Sequence, residues 1–346
     1  MATVPATIEE LKQQTGTELS AASVHTQIDE VATKRTKDQK PFLEILLRDW
    51  TAVFPLRVWS DHPSFGFCSE LRTGDFVEVQ GDFVVSATFG LEAKNWSVRF
   101  LSAPEKADLL AGPPEVRERQ GLDYAAIESF IASIRDPRLR ELSLLFLREF
   151  GERLRRAAGA RNYHHARRGG LVEHIAQMMR AGDAMAAVYA SLNRDLLLAG
   201  ILFHDSGKLW ENCFPKESFI MPHDFRAELI GHISMGVELV NRLWHRLKES
   251  AEFSSWNVLS PDSDLVRLHL IHLVASHHGQ KEFGSPIEPK TPEAMTLHLI
   301  DNLDAKLDMM WNNYRLGKRL GRDVIERVRP LPTNLVAALT SFSGEP

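Results

Sequence analysis

Two spacings of apolar residues divide the chain. From Ser23 to about Ala103, apolar and polar positions alternate over short runs: Val24, Ile28 and Val31; Phe42, Leu43, Ile45 and Leu47; Val53, Leu56, Val58 and Trp59; Phe76 to Val85; Trp96 to Leu101. A spacing of two predicts strands with one buried face. About five such strands, with an irregular excursion after the third around His62-Pro63, form the pattern of a small OB-fold barrel. Beyond Pro113-Pro114 the spacing lengthens to that of helices. It predicts a helix from Leu122 to Ile134, a new start at Asp136-Pro137 that continues through Leu139 to Leu154, an apolar run from Leu196 to Phe203, and a basic helix from Met309 to about Val328. The reading is an α+β, multidomain chain: an arm over 1–22, a β-barrel over 23–103, a charged and proline-rich linker over 104–121, an all-α bundle over 122–330 and a tail over 331–346.

The apolar run delivers His204 and Asp205 side by side, with Lys208 one helical turn after His204. Burying three such groups bare is costly. A divalent cation removes the cost, because imidazole and carboxylate ligate it and the ammonium then holds an anion that the metal also attracts. One His-Asp pair recurs by chance, so other ligand types on apolar backgrounds decide the matter. They are His174 behind Gly169-Gly170, His232 behind Gly231, the pair His277-His278 before Gly279, and Asp301 with Asp304. A lone histidine on an apolar helix is ordinarily a core residue with a satisfied hydrogen bond, which suffices for His269, His272 and His298. His223-Asp224 is set aside, since it follows Met221-Pro222 in a turn-like stretch without a lysine or an apolar helix leading in.

The order His174, His204-Asp205, Asp301 resembles the HD superfamily of metal-dependent phosphohydrolases, and His232 with His277-His278 resembles its branch with binuclear or larger sites. Three segments resemble the YhaM-type 3′-to-5′ exoribonuclease family: Leu229-Ile230-Gly231-His232-Ile233, His277 through Pro286, and Thr291-Pro292-Glu293-Ala294-Met295 on to Asp301-Asn302-Leu303-Asp304-Ala305-Lys306. The likeness runs from about His164 to Met310. It implies an OB domain ahead of an HD domain, manganese as cofactor, and Asp301 rather than Asp304 as ligand, with Asp304 supporting from the same helix face. Family members carry Thr-Gly after the Asp that ends the second strand, where this chain reads Asp49-Trp50-Thr51-Ala52. One cation would lie on His174, His204, Asp205 and Asp301, and a second on Asp205, His232, His277 and His278. Only a carboxylate bridges two cations, so Asp205 is the bridge. A water shared by the two ions would ionise near neutrality and attack the phosphodiester in line, with Lys208 stabilising the phosphoryl charge. Mixed imidazole and carboxylate ligands suit Mn²⁺, Fe²⁺, Co²⁺ or Zn²⁺, with Mg²⁺ also open.

Composition narrows the partners. A chain of 346 residues, 44% hydrophobic and 25% charged, is ordinary for a folded soluble protein of two domains. Its net charge of −5 supplies no global basic field, so nucleic acid must be held by local patches. One is the turn of Lys34, Arg35, Lys37 and Lys40, placed where OB-folds carry a binding loop. Another runs from Arg148 to His164, His165, Arg167 and Arg168; of these His165, Arg167 and Arg168 are substrate-side candidates, as is Lys281 after the histidine pair. For each the alternative is ordinary solvated charge. The aromatics Trp50, Phe54, Phe65, Phe67, Phe89 and Trp96 are base-stacking candidates or barrel core. Two distant cysteines, Cys68 and Cys213, fit a reducing cytoplasm. The start has no secretion signal, and no apolar run approaches the roughly 18 residues that span a bilayer. The reading is a cytoplasmic, metal-dependent enzyme that degrades single-stranded RNA, with DNA left open, to 5′-mononucleotides. Two alternatives stay open: the same chemistry on small or cyclic nucleotides, and a non-catalytic RNA-binding protein with a structural metal. No Gly-Tyr-Pro follows His278, which argues against cyclic dinucleotides, and Lys208 argues against a purely structural site.

Overall fold

The computed structural model describes residues 5–13, 19–86 and 90–339. The chain forms two compact units, Met1–Gly121 with Phe214–Pro222, and Leu122–Cys213 with His223–Pro346.

The first unit contains α1 (Ile8–Gln13), β1 (Ser20–Arg35), β2 (Pro41–Arg48), β3 (Val53–Trp59), α2 (Phe65–Glu70), β4 (Phe76–Ser86), β5 (Gly90–Phe100) and α3 (Ala103–Ala111). The strands make one five-stranded antiparallel sheet in the order β3-β2-β1-β4-β5. Strand β1 serves two neighbours: Ser20–Gln27 pairs with β4 and Gln27–Arg35 with β2, with a register shift between Ile28 and Glu30. Such a shift bends a strand. Alternation buries Leu43, Ile45 and Leu47 of β2 and Phe54, Leu56 and Val58 of β3; Ile8 and Leu11 of α1 join the same core.

Closure of the expected barrel is not found, because β3 and β5 are both sheet edges. Pro55 has no N–H to give to a second neighbour, which suits β3 to an edge. The turn that lacks the family's Thr-Gly is built by a side chain instead. Asp49 Oδ1 accepts from the amides of Thr51 (2.7 Å) and Ala52 (2.9 Å) while Oδ2 accepts from Ile8 (2.6 Å), and neither Thr51 nor Ala52 takes positive φ. The stretch expected as a linker is helical: α3, begun by a reciprocal Ser102–Glu105 cap, and then α4 (Pro114–Ala132), whose residues from Leu122 belong to the second unit.

The second unit continues with α5 (Pro137–Leu154), α6 (Gly170–Val188), α7 (Arg194–Phe203), α8 (Lys208–Glu211), α9 (Phe225–Lys248), α10 (Ala251–Ser254), α11 (Ser263–Ser276), α12 (Pro292–Leu316), β6 (Val324–Ile325) and β7 (Leu335–Val336). Helix α7 is its axis. Every residue from Leu196 to Phe203 is buried, and α7 packs against α5, α6, α11 and α12. A helix that is apolar all round belongs inside a core. The basic helix expected to reach Val328 stops at Leu316; the chain then forms the β6–β7 hairpin, whose Ile325 and Leu335 pack with Leu331 and Met309. Residues 340–346 of the expected tail, and Phe89, lie outside the described residues. Among the described residues, no helix is long and apolar enough to cross a membrane.

Candidate metal centre

The candidate ligands come from helix ends and one kink. His174 lies in the second turn of α6, His204 caps the C-terminus of α7 with Asp205 next to it, and Lys208 opens α8. His277 caps α11 with His278 after it, and Asp301 lies within α12. His232 follows Gly231, whose φ of 71° breaks α9. The loop after Asp205 approaches α9 through another glycine: a Cβ on Gly207 would stand 1.9 Å from the carbonyl oxygen of His232. Only glycine allows that approach.

Asp205 is the hub. Its Oδ2 lies 3.2 Å from His204 Nε2 and 3.8 Å from His174 Nε2, and its Oδ1 lies 3.5 Å from His277 Nε2 and 3.7 Å from His232 Nε2. His174 Nε2 is also 3.3 Å from both His204 Nε2 and Asp301 Oδ1. The His278 ring stands 4.4 Å from that of His277 and 5.2 Å from that of His232.

The opposite ring nitrogens are all tied to acceptors. His204 Nδ1 meets the carbonyl of Ile201 at 2.8 Å, His277 Nδ1 that of Val274 at 2.7 Å, and His278 Nδ1 that of Phe283 at 2.7 Å. His174 Nδ1 meets Asp304 Oδ2 at 2.6 Å, and His232 Nδ1 meets Glu211 Oε2 at 2.6 Å. A carbonyl can only accept, so the Nδ1 atoms of His204, His277 and His278 donate, and Nε2 is the ring nitrogen each leaves for the centre. Both Asp205 oxygens and the Nε2 atoms of His232 and His277 are buried without a hydrogen bond among the described residues, although Lys208 Nζ comes within 2.7 Å of Oδ2. Lone pairs gathered on a buried carboxylate are stable only around a cation. The donor set therefore fits divalent metal. Two groups, His174 with His204 and Asp205, and His232 with His277 and His278, each hold their ligand atoms within 4.8 Å of one another.

Electrostatics agree with that chemistry. Burial alone would raise the Asp205 carboxyl, yet Lys208 and His204 outweigh it and hold it well below the usual carboxylate range. Burial likewise opposes ionisation of Asp301, and His174 and His204 overcome it. Burial pushes His278 down to about 4 and keeps its ring neutral. His174 goes the other way: burial lowers it, but bonds to Asp301 and Asp304 dominate and push it up to about 10. A cation bound at Nε2 would have to displace that proton.

The remaining candidates fall into different places. Asp304 stands behind His174, and His165, expected on the substrate side, is buried there too: its Nε2 lies 2.9 Å from Asp304 Oδ2 and its amide donates to Asp308 at 2.6 Å. Arg167 is turned inward as well, paired with the buried Glu173 and with Asp308. Burial pushes Arg168 down to about 10. Lys281 is exposed in the short turn after His278. In the first unit, Lys34, Arg35, Lys37 and Lys40 are exposed around the β1–β2 turn, with Lys34 paired to Glu44 and Arg35 donating to the Gln39 carbonyl. Phe54 and Trp96 are core, whereas among the described residues of the first unit Trp59, packed on Phe42, and Phe100, packed on Phe67, are exposed aromatics. His223 pairs with Glu228 at the surface and Asp224 caps α9. His272 accepts from the Lys290 amide and His298 bonds the His277 carbonyl. Sequence reasoning missed Glu211, and it did not single out His164, whose ring lies 5.7 Å from that of His174. Burial pushes His164 down to about 3, and Lys208, His174, Asp301 and Asp205 are the charges that act on it.

An interior helix ending in His-Asp, ringed by histidines and an aspartate from neighbouring helices, is the arrangement of an HD domain, and the family model described as HD domain matches residues 171–306. The 3′-5′ exoribonuclease YhaM of Shouchella clausii (strain KSM-K16) is 32% identical over 283 residues, covering 81% of this chain and 82% of that protein. The protein of the same name from Geobacillus sp. (strain WCH70) is 31% identical over 274 residues, 78% of each chain. The chain belongs to the YhaM family of 3′-5′ exoribonucleases.

Proposed function

We propose that this protein is a metal-dependent exonuclease that removes 5′-mononucleotides from the 3′ end of single-stranded RNA. The observation that carries the reading is the pair of Asp205 oxygens, each turned to its own set of histidines, with the Lys208 ammonium 2.7 Å from Oδ2. In this reading His174, His204, Asp205 and Asp301 would hold one divalent ion and His232, His277 and His278, together with Asp205, a second, and manganese is the metal we propose. Such ions supply Lewis acidity, lowering the pKa of a water and offsetting phosphoryl charge. The chain's own groups do the rest. Asp304 and Glu211 fix the tautomers of His174 and His232, so that Nε2 points inward. Lys208 brings a positive charge to where a phosphoryl oxygen gains negative charge.

For the first unit we infer an OB domain over 23–103 that holds the strand, with the catalytic domain over 122–330. The strand order β3-β2-β1-β4-β5, and the approach of the two edge strands β3 and β5 to each other, support that reading. The exposed Trp59 and Phe100 offer stacking surfaces, and the Lys34–Lys40 turn offers charge. Two buried cysteines that form no disulfide suit a reducing cytoplasm. The test is to incubate the purified protein with single-stranded RNA bearing a free or a blocked 3′ end, over a panel of divalent ions, and to identify the products. A ladder ending in 5′-mononucleotides, absent with a blocked 3′ end and with Asp205→Ala, is the expected result. Hydrolysis of small nucleotides alone would move the assignment to a nucleotide phosphodiesterase.

A further inference from the structure

His164 and His165 are adjacent, yet their rings part. At His165 the backbone takes φ 46°, uncommon for a residue with a side chain, and its carbonyl accepts from the amides of Gly159 (3.1 Å) and Arg167 (2.8 Å). The two rings are nearly perpendicular, at 87°, with centroids 6.3 Å apart. His165 goes inward to Asp304, behind His174. The His164 ring does not join that bond: it lies 5.7 Å from the ring of His174, where that of His165 lies at 5.3 Å, and it is flanked by Gly159, with Lys208, His174, Asp301 and Asp205 as the charges that act on it.

Two features separate His164 from the histidines around it. Its nitrogens belong to none of the three gathered ligand sets, His232 with His277 and His278, His165 with His174 and Asp304, and His174 with His204 and Asp205. Its ring makes no hydrogen bond among the described residues, whereas His165, His174, His204, His232, His277 and His278 each have a nitrogen committed to a protein partner. His164 is also only partly buried, so a ligand can reach it. We propose that His164 is a catalytic residue of this site, whose ring N–H donates to a non-bridging oxygen of the phosphoryl group being cleaved and, after cleavage, to the 5′-phosphate of the released mononucleotide. This rests on the proposed phosphodiesterase reading. No bond is made or broken at the ring; it binds and orients the phosphoryl group opposite the lone-pair cluster, and a neutral imidazole suffices.

The test uses the full-length, manganese-loaded protein and the variants His164→Ala and His164→Gln. Manganese content is read by elemental analysis, stability by thermal melting, binding of 5′-CMP and of cytidine by calorimetry, and cleavage by single turnover on a short RNA with a free 3′ end. For His164→Ala we expect unchanged manganese content, 5′-CMP binding weakened about tenfold with cytidine binding unaltered, and cleavage slowed roughly 10²-fold. His164→Gln, which keeps an N–H, should recover part of both losses, and it carries the comparison if the alanine variant melts early. Wild-type affinity for 5′-CMP in His164→Ala, or loss of manganese from it, overturns the proposal. If wild-type protein makes no mononucleotides from RNA, the exonuclease reading fails, while the 5′-CMP comparison still judges His164.

Discussion

Around Asp205 each histidine commits Nδ1 to a protein acceptor and keeps Nε2 for the centre, so the acceptors matter as much as the rings. Glu211 is the informative one, because it pairs with His232 Nδ1 and is not itself a proposed ligand. Burial would raise its carboxyl, but His232 outweighs burial and keeps it ionised. Glu211→Gln should therefore weaken manganese binding by about 10- to 100-fold, measured by titration calorimetry, with little effect on folding; an unchanged isotherm would show that His232 is oriented by something else. Lys208 separates binding from chemistry. Lys208→Ala should keep its manganese and lose about 10²- to 10³-fold in turnover, and loss of the metal together with activity would reject a role confined to the phosphoryl group. The candidate ligands were legible because several histidines and carboxylates lie on apolar backgrounds beside one His-Asp pair, which alone would have meant little. Glu211 was not, since only the single turn of α8 brings it under α9. Nor could sequence tell His164 from His165, because which ring faces inward is set by one positive φ that Gly159 and Asp308 stabilise from elsewhere in the chain.

Among the elements, α9 is where local rules are broken for the benefit of the centre. Ile230 and Ile233 keep the helical pattern on either side of a residue at φ 71°, so the periodicity of the sequence runs straight across the kink and hides it. With ψ at 160° the residue lies in a region that is almost exclusive to glycine, so placing a side chain there costs about 1–3 kcal/mol, and the helix would relieve it by straightening and rotating His232 away from Asp205. Space is not the obstacle, since a Cβ on Gly231 meets nothing within 4 Å. Gly231→Ala should thus fold with a modestly lowered melting temperature yet bind fewer manganese ions per chain than wild type; full metal content would show that the kink is dispensable. Elsewhere the element-level reading failed for identifiable reasons. Proline and charge in 104–121 suggested a linker, but Pro104 and Pro114 stand in first turns, where the missing N–H costs nothing, so they begin helices rather than break them. The basic stretch after Leu316 kept a helical composition while Gly317 and the contacts of Ile325 with Leu331 and Leu335 ended the helix.

At the scale of the whole molecule the chain pairs a sheet unit with a helical unit, and the two were legible to different depths. Alternation in β2 and β3 located strands because each has one buried face. Whether the sheet closes depends on β3 meeting β5, partners far apart in the chain, and no local pattern encodes that. The helical unit was easier, since its apolar spacing marks buried helices and its histidines stand out against them. If the units divide the work, with strand-holding in one and hydrolysis in the other, they should be separable by mutation. The Lys34, Arg35, Lys37 and Lys40 turn is the place to cut, being exposed and far from any proposed ligand in sequence. Two of its cations are already partnered, Lys34 with Glu44 and Arg35 with the Gln39 carbonyl, which limits their free charge. Replacing all four by glutamine should weaken binding of a long single strand and reduce the slope of log affinity against log salt by no more than about 3. Turnover of a dinucleotide should be untouched. Equal losses on the long strand and on the dinucleotide would mean that the turn supports the catalytic centre itself, and the division of labour would have to be abandoned.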